Sequence, residues 1–470
     1  METVNNFLKT IDSWVWGPVL IVLILFVGIY FSCRLKFFQI KYLPKAFKFM
    51  LKDEEGSSGE VSSFAALCTT LSATIGTGNI VGVATAISLG GPGALFWMCV
   101  AAFFGMATKY AEGLLSVKYR HIDEDNHVLG GAFYYIEHGM GKKYIWLAKL
   151  FAFFGAVVAL CGIGTLAQSN GIVGAVGGLL DPNNSYVFSI FSKHISIVAL
   201  VVSIIIAVLV ALILVGGIKR ISSISEVVVP FMAVTYLITC VIILANNVNA
   251  IPAAFAEIFK TAFTGTAAVG GFLGAGVKEA VQKGVSRGIF SNEAGLGSST
   301  MATAAAKTKW PARQGLVSMV AVFIDTIIIC TLTGLTIITS GAWKVKGLEG
   351  VALTNYAFKT GFYFAPWLGQ LLLAICLVSF AFTTIIGWSY YGEQCLAYLF
   401  KGNKKIIGAY RWLFIFMVFI GGFLTVDIAW NISDIFNGLM AFPNLIALIF
   451  LNGVVVSESK KYFEYLKNEK

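Results

Sequence analysis

The sequence predicts an all-α integral membrane protein of about eleven transmembrane helices. Hydrophobic residues make up 57% of the chain against 12% charged, with a mean hydropathy of +0.81. Apolar runs of spanning length recur from one end to the other, and basic residues alternate sharply between successive gaps. A soluble domain is roughly a quarter charged, and no gap here is long enough for an independent core, the longest being 34–60 and 119–144.

Taken in order, the polar amino-terminal stretch leads into a run near 16–34. That run ends at Cys33 and Arg34 rather than at a small-residue cleavage site, so it is expected to remain as a helix. Further runs lie near 61–89, 94–118, 145–175, 195–216, 225–246, 252–290, 314–341, 363–397, 412–429 and 431–456. They divide the chain into a first helix with a basic loop (1–60), a five-helix group (61–250), a second five-helix group (251–456) and a tail (457–470).

The 34 Lys+Arg against 24 Asp+Glu give a formal charge of +10, which in a soluble protein would suggest a nucleic-acid partner. Here the placement of the charge tells more. Residues 34–60 hold Arg34, Lys36, Lys41, Lys45, Lys48 and Lys52, whereas 176–194 hold only Lys193 and 1–15 only Lys9. Loops that stay in the cytoplasm keep their basic residues. The expected arrangement is a multi-pass protein of the cell membrane with its amino terminus outside and its carboxyl terminus in the cytoplasm. The lipid bilayer is its surroundings, and neither nucleic acid nor an obligate protein partner is indicated. The eight cysteines are scattered among the apolar runs and read as small hydrophobes.

Two segments are poor continuous helices. Residues 73–97 read ATIGTGNIVGVATAISLGGPGALFW, with Gly76 and Gly78 beside polar Thr77 and Asn79. Each glycine costs about 1 kcal/mol relative to alanine in a helix interior, and unwound backbone at membrane depth survives only inside protein or beside a watery cavity. Gly82, Gly90 and Gly105 are expected to serve close helix packing. Five helices on, the 252–290 segment repeats the anomaly with Gly265, Gly270, Gly271, Gly274 and Gly276. An odd offset makes the two segments cross in opposite directions, so inverted repeats with a midplane binding site are expected.

Catalysis has no visible constellation: His121, His127, His138 and His194 all fall in expected loops. Hydroxyls and amides are plentiful instead. Thr383 and Thr384 lie mid-helix with Trp388 one turn beyond, and Gln168 with Asn170 in the fourth helix, an assortment suited to a monovalent cation and a zwitterion. Asp325 falls near the middle of the eighth helix, where a charge costs about 2.5–3.5 kcal/mol on insertion scales, and it should have a partner or a role. Lys109, Glu112, Lys278, Glu279 and Lys283 are expected near inner helix ends, mostly solvated. An ion channel or a membrane enzyme is disfavoured; proton coupling would fall to Asp325.

These residues resemble the alanine or glycine:cation symporter family, the sodium:alanine symporters. The likeness runs through 73–97, FFGMATKYAEGLLSVKYR (103–120), GIFSNEAGLGSS (288–299), IGWSYYGE (386–393) and VVVSESK near the end. It implies a LeuT-type 5+5 inverted repeat with one additional amino-terminal helix, and symport of a small neutral amino acid with Na⁺. Alanine or glycine is expected, with serine or glutamine as alternatives and no organic cofactor. Carried over, Gly76, Thr77 and Gly78 would meet the substrate, Gln168 and Asn170 would help, and Thr384 and Trp388 would close the pocket. Na⁺ would bind near Thr74, Gly76, Thr383 and Thr384. One departure is the order Ser169-Asn170 after Gln168, which alters a pocket wall.

Overall fold

The computed structural model describes the chain except residues 1, 53, 55, 123–126, 183–184, 191–192, 265–275, 424–425 and 469–470. Among the described residues, eight helical spans are long and apolar enough to cross a bilayer, and nine if one bent pair counts as a span. An amphipathic helix α1 (Glu2–Val15) leads through Gly17 into α2 (Pro18–Arg34), whose proline at the first turn gives up no needed N–H. After α3 (Phe38–Met50) comes α4 (Ser63–Thr74), started by Ser62, whose hydroxyl accepts from Ala65 N at 2.9 Å. A π-turn at Gly78–Gly82 and α5 (Val83–Gly90) follow, at 54° to α4.

Helix α6 (Gly93–Lys118) is unbroken and buried on most of its surface. The fourth apolar run is interrupted at 162–165, giving α7 (Ile145–Cys161) and α8 (Leu166–Leu180). Helix α9 (Ile197–Leu214) presents Val201, Ile204, Ile205, Val208, Leu209 and Leu212 outward, a face that only lipid makes favourable. Next come α10 (Gly217–Asn246) and α11 (Ile251–Thr264).

The expected single span at 252–290 is replaced by α11 and a separate α12 (Val277–Asn292). Gly265, Gly270, Gly271 and Gly274 lie outside the described residues, and Gly276 is the extended residue that starts α12. The break that the structure does show lies further on, at 293–299, before the short helix α13 (Thr300–Ala304). Helix α14 (Pro311–Val322) runs through a π-turn at Phe323–Cys330 into α15 (Thr331–Thr339), and α16 (Gly350–Gly361) precedes α17 (Pro366–Leu399). The chain closes with α18 (Lys404–Gly421), α19 (Val426–Phe450) and α20 (Asn452–Asn468). The expected run at 412–429 takes in the apolar end of α18, whose beginning carries Lys404, Lys405 and Arg411, and reaches the start of α19.

Small residues bring α6 against its neighbours: a side chain at Gly284 would place a carbon 2.3 Å from Ala94 O. Such close backbone approach is how membrane helices gain packing without a hydrophobic drive. Of the three glycines read as packing residues, Gly90 and Gly105 are in tight contact, whereas Gly82 has no atom of the described residues within 4 Å of where its Cβ would lie. At one end of the bundle the segments before α4 and after α13 are joined. Lys307 N donates to Val61 O at 2.8 Å and Glu60 N to Ala305 O at 2.9 Å. Arg120 clamps the same place, its guanidinium donating to Ser58 O, Ala304 O and Ala306 O at 2.7, 2.7 and 2.6 Å.

Candidate functional site

The first break begins where α4 ends at Thr74 and Ile75 turns extended. Gly76 N donates to Asn79 Oδ1 at 2.9 Å, and Thr77 N donates to Gln168 Oε1 of α8 at 3.2 Å. Thr384 of α17 donates its hydroxyl to Ile75 O at 3.2 Å and to Phe380 O at 3.0 Å. Gly76 is required by space: a Cβ there would sit 2.5 Å from Thr384 Oγ1 and 3.3 Å from both terminal atoms of Gln168. Four of the residues singled out in the sequence, Gly76, Thr77, Gln168 and Thr384, therefore meet. Thr77 Oγ1 and Gln168 Nε2 are buried there without a hydrogen-bond partner among the described residues, a condition that costs about 1–3 kcal/mol per group when nothing binds.

The remaining expected site residues are placed differently. Thr383, adjacent to Thr384, directs its hydroxyl to Phe380 O at 2.9 Å and toward Met232 Sδ at 3.5 Å. Thr74 bonds back to Thr70 O at 3.2 Å, the usual habit of a threonine inside a helix. Gly78 opens the π-turn and faces Phe290. Asn170 is half-buried two positions along α8 from Gln168. Trp388 is fully buried, and its Nε1 donates to Glu293 Oε1 at 3.0 Å. One helix, α17, thus reaches the first break through Thr384 and the second through Trp388.

The second break was not expected at this place, nor was its charge. Glu293, Gly295 and Gly297 take φ of 57°, 91° and 77°, so the chain turns left-handed between α12 and α13. Lys109 Nζ of α6 donates to Asn292 O and Glu293 O at 3.1 and 3.3 Å. One turn on, Glu112 Oε1 accepts from Gly295 N and Gly297 N, both at 3.0 Å, and from Asn444 Nδ2 at 2.6 Å. A cation on carbonyls that end one helix and an anion on N–H groups that lead into the next follow the polarity of helix ends. Lys109 and Glu112, expected to be solvated, are 0% and 1% exposed: the bonds offered by the unwound backbone hold them inside. Lys278 and Glu279 are exposed, as expected.

Asp325 joins the two breaks. Its Oδ1 accepts from Asn79 Nδ2 at 2.7 Å, and its Oδ2 accepts from Ser291 Oγ and Thr326 Oγ at 2.8 and 2.7 Å. It therefore has the partners that a carboxylate at membrane depth requires.

Beyond Phe290 opens a cavity of about 650 Å³ lined by Lys9, Asp12, Lys283, Arg287, Glu349 and Asp434, among others. Arg287 donates to both oxygens of Asp434 at 3.0 and 2.8 Å, and its guanidinium lies 5.5 Å from the Phe290 ring centre and 5.6 Å from that of Trp430. Lys283 thus shares a cavity with Lys9 and Glu349, at the end of the molecule expected to face outward rather than at an inner helix end. Two breaks beside buried amides and hydroxyls, with a polar cavity beyond Phe290, are the pattern of a secondary transporter.

Comparison with known proteins decides which kind. The profile of the sodium:alanine symporter family matches residues 1–470. The chain belongs to that family. The sodium/alanine symporter AgcS of Methanococcus maripaludis is 45% identical over 474 residues, covering 99% of this chain and 98% of that protein. An uncharacterized transporter of Haemophilus influenzae is 50% identical over 467 residues (99% and 97%). The amino-acid carrier protein AlsT of Bacillus subtilis is 35% identical over 471 residues (100% and 94%). In fold the chain is similar to MhsT, solved in complex with L-phenylalanine and a LeuT-fold transporter, with a TM-score of 0.55 at 12% identity over 86% of this chain and all of that one. As a member of the family, the protein is a membrane transporter for cation-coupled amino-acid symport.

Proposed function

We propose that this symporter carries a small neutral amino acid, alanine or glycine, into the cell together with Na⁺ by alternating access. The observation that carries the reading is the pair of unpartnered groups at the first break, Thr77 Oγ1 and Gln168 Nε2, beside the unwound backbone at Gly76. A substrate carboxylate accepts from the amide and from backbone N–H, and the ammonium donates to hydroxyl and carbonyl oxygens. Gly78 and Trp388 limit the volume, and Asn170 shapes the α8 wall. Na⁺ is held by carbonyls near Thr74 and Gly76 and by the hydroxyls of Thr383 and Thr384, a set of hard oxygens without the charge a divalent ion needs.

In this reading the five-helix groups 61–250 and 251–456 are inverted repeats, and the Arg287–Asp434 pair and the Arg120 clamp close the outer and inner ways in turn. With the amino terminus outside and the carboxyl terminus cytoplasmic, one net positive charge moving inward gains about 2.3 kcal/mol per 100 mV. Uptake of radiolabelled alanine into proteoliposomes, under an inward Na⁺ gradient compared with K⁺, tests the assignment. Accumulation that needs Na⁺ and is lost in Thr384→Val is the expected result; uptake indifferent to Na⁺ but driven by a pH gradient refutes it.

A further inference from the structure

We propose that the hollow between the α2–α3 corner and α20 is a binding site for the headgroup of an anionic phospholipid, whose acyl chains lie along the outer face of α2. The proposal goes beyond the symport reading and uses neither its substrate nor its ion.

The hollow has a volume of about 310 Å³. Five bases line it: Arg34 at the end of α2, Lys36 at the corner, Lys41 on α3, and Lys460 and Lys467 on α20. Among the described residues, Glu464 is the one carboxylate of the lining, and none of the five bases is in an ion pair. Like charges gathered around one hollow repel each other, and an anion that fills it relieves the repulsion. The floor is aromatic and rigid. Tyr42 of α3 stacks on Phe463 of α20 with ring centres 4.4 Å apart, and the Phe38 ring lies 4.4 Å from that of Tyr110 on α6.

The corner itself is held in an uncommon shape. Lys36 and Phe37 both take left-handed φ, 58° and 50°, and Phe37 N donates to Ser32 O at 2.7 Å. Residues other than glycine seldom adopt that conformation, which persists where the surroundings determine it. Here it turns the chain so that Lys36 and Lys41 line the hollow that Arg34 also lines.

What lies beside the hollow points to a lipid. Val22, Phe26 and Ile29 are exposed on α2 and, spaced by four and three residues, form one stripe. Five residues separate Ile29 from Arg34, about 7.5 Å along a helix. Phe37 and Ile40 are exposed beside the bases as well. A ligand with a phosphate for the bases and hydrocarbon for the stripe satisfies both, and basic pockets between membrane helices take headgroups in this way. A phosphate free in solution would use the bases alone.

Native mass spectrometry of the full chain in detergent, titrated with dioleoylphosphatidylglycerol and separately with dioleoylphosphatidylcholine, tests the site. The parent is expected to bind phosphatidylglycerol at least about tenfold more tightly. Each base contributes about fivefold, so Lys36→Gln combined with Lys41→Gln should weaken phosphatidylglycerol about 25-fold and leave phosphatidylcholine unchanged. Glu464→Gln removes a repelling charge and should tighten phosphatidylglycerol about fivefold, a gain that a merely structural role would not give. Lys404→Gln combined with Lys405→Gln, at exposed bases that start α18, is expected to bind as the parent does. If the Lys36 and Lys41 variant fails to fold, Glu464→Gln decides. Equal affinity for the two lipids, no change in Glu464→Gln, or an equal loss in the Lys404 and Lys405 variant overturns the proposal. So does displacement of phosphatidylglycerol by millimolar inorganic phosphate, which would mark a site for a soluble anion.

Discussion

The two breaks hold their unwound backbone by opposite means. At Ile75–Gly76 the partners are neutral: the amides of Asn79 and Gln168 and the hydroxyl of Thr384, with two polar groups left over. At 293–299 they are charged, with Lys109 on the carbonyl end and Glu112 on the N–H end. Neutral partners exchange for a ligand at small cost, whereas a buried charge deprived of its partner is strongly destabilising. The difference separates a binding surface from the scaffold that supports it.

Substitutions at the two breaks should therefore fail in different ways. The largest effect is expected for Gly76→Ala. Its Cβ would lie 2.5 Å from Thr384 Oγ1, so alanine uptake should fall at least about a hundredfold, roughly 3 kcal/mol or more, while the melting temperature in detergent stays near that of the parent. Glu112→Gln breaks the other side of the comparison. It takes one of the buried carboxylates near Lys109 away and weakens the hold on Gly295 N, Gly297 N and Asn444, costs about 3–5 kcal/mol of stability, and should lower the melting temperature more than any single change at the first break.

Trp388→Phe removes the donor to Glu293 and leaves a smaller aromatic ring in its place, so about 1.5–3 kcal/mol is lost with the hydrogen bond. Because α17 reaches both breaks, the variant should show both a lower melting temperature and a raised half-saturating alanine concentration. The smallest effect is expected for Gly78→Ala, whose added carbon meets Phe290 at 3.4 Å, an ordinary contact. Uptake within about threefold of the parent, under 1 kcal/mol, would sharpen the view that the pocket is tighter at Gly76 than at Gly78.

The same contrast explains what was readable in the sequence. Glycines beside Thr77 and Asn79 inside an apolar run announce the first break, because that composition opposes a continuous helix and has no other reason to be there. Gln168 and Thr384 stood out as polar groups mid-span, and both reach it. The second break hid behind its charges. Lys109, Glu112 and Glu293 look like residues near helix ends, and only the fold shows that their partners are backbone groups freed by unwinding. One signal was available: residues 288–306 contain Glu293 as their only charge, which is too apolar for a cytoplasmic loop. Helix α18 was read from its apolar end alone, as the run near 412–429, since Lys404, Lys405 and Arg411 stand in its first half.

The division of labour between the breaks is tested most directly by equilibrium binding of radiolabelled alanine, in Na⁺, to Gln168→Leu and Glu112→Gln, with the folded fraction of each measured in the same sample. Gln168→Leu should fold like the parent and bind no alanine, while Glu112→Gln should lose folded protein but bind alanine with near-parent affinity in what remains. Parent-like binding by Gln168→Leu, or a fully stable Glu112→Gln that has lost binding, would contradict the account.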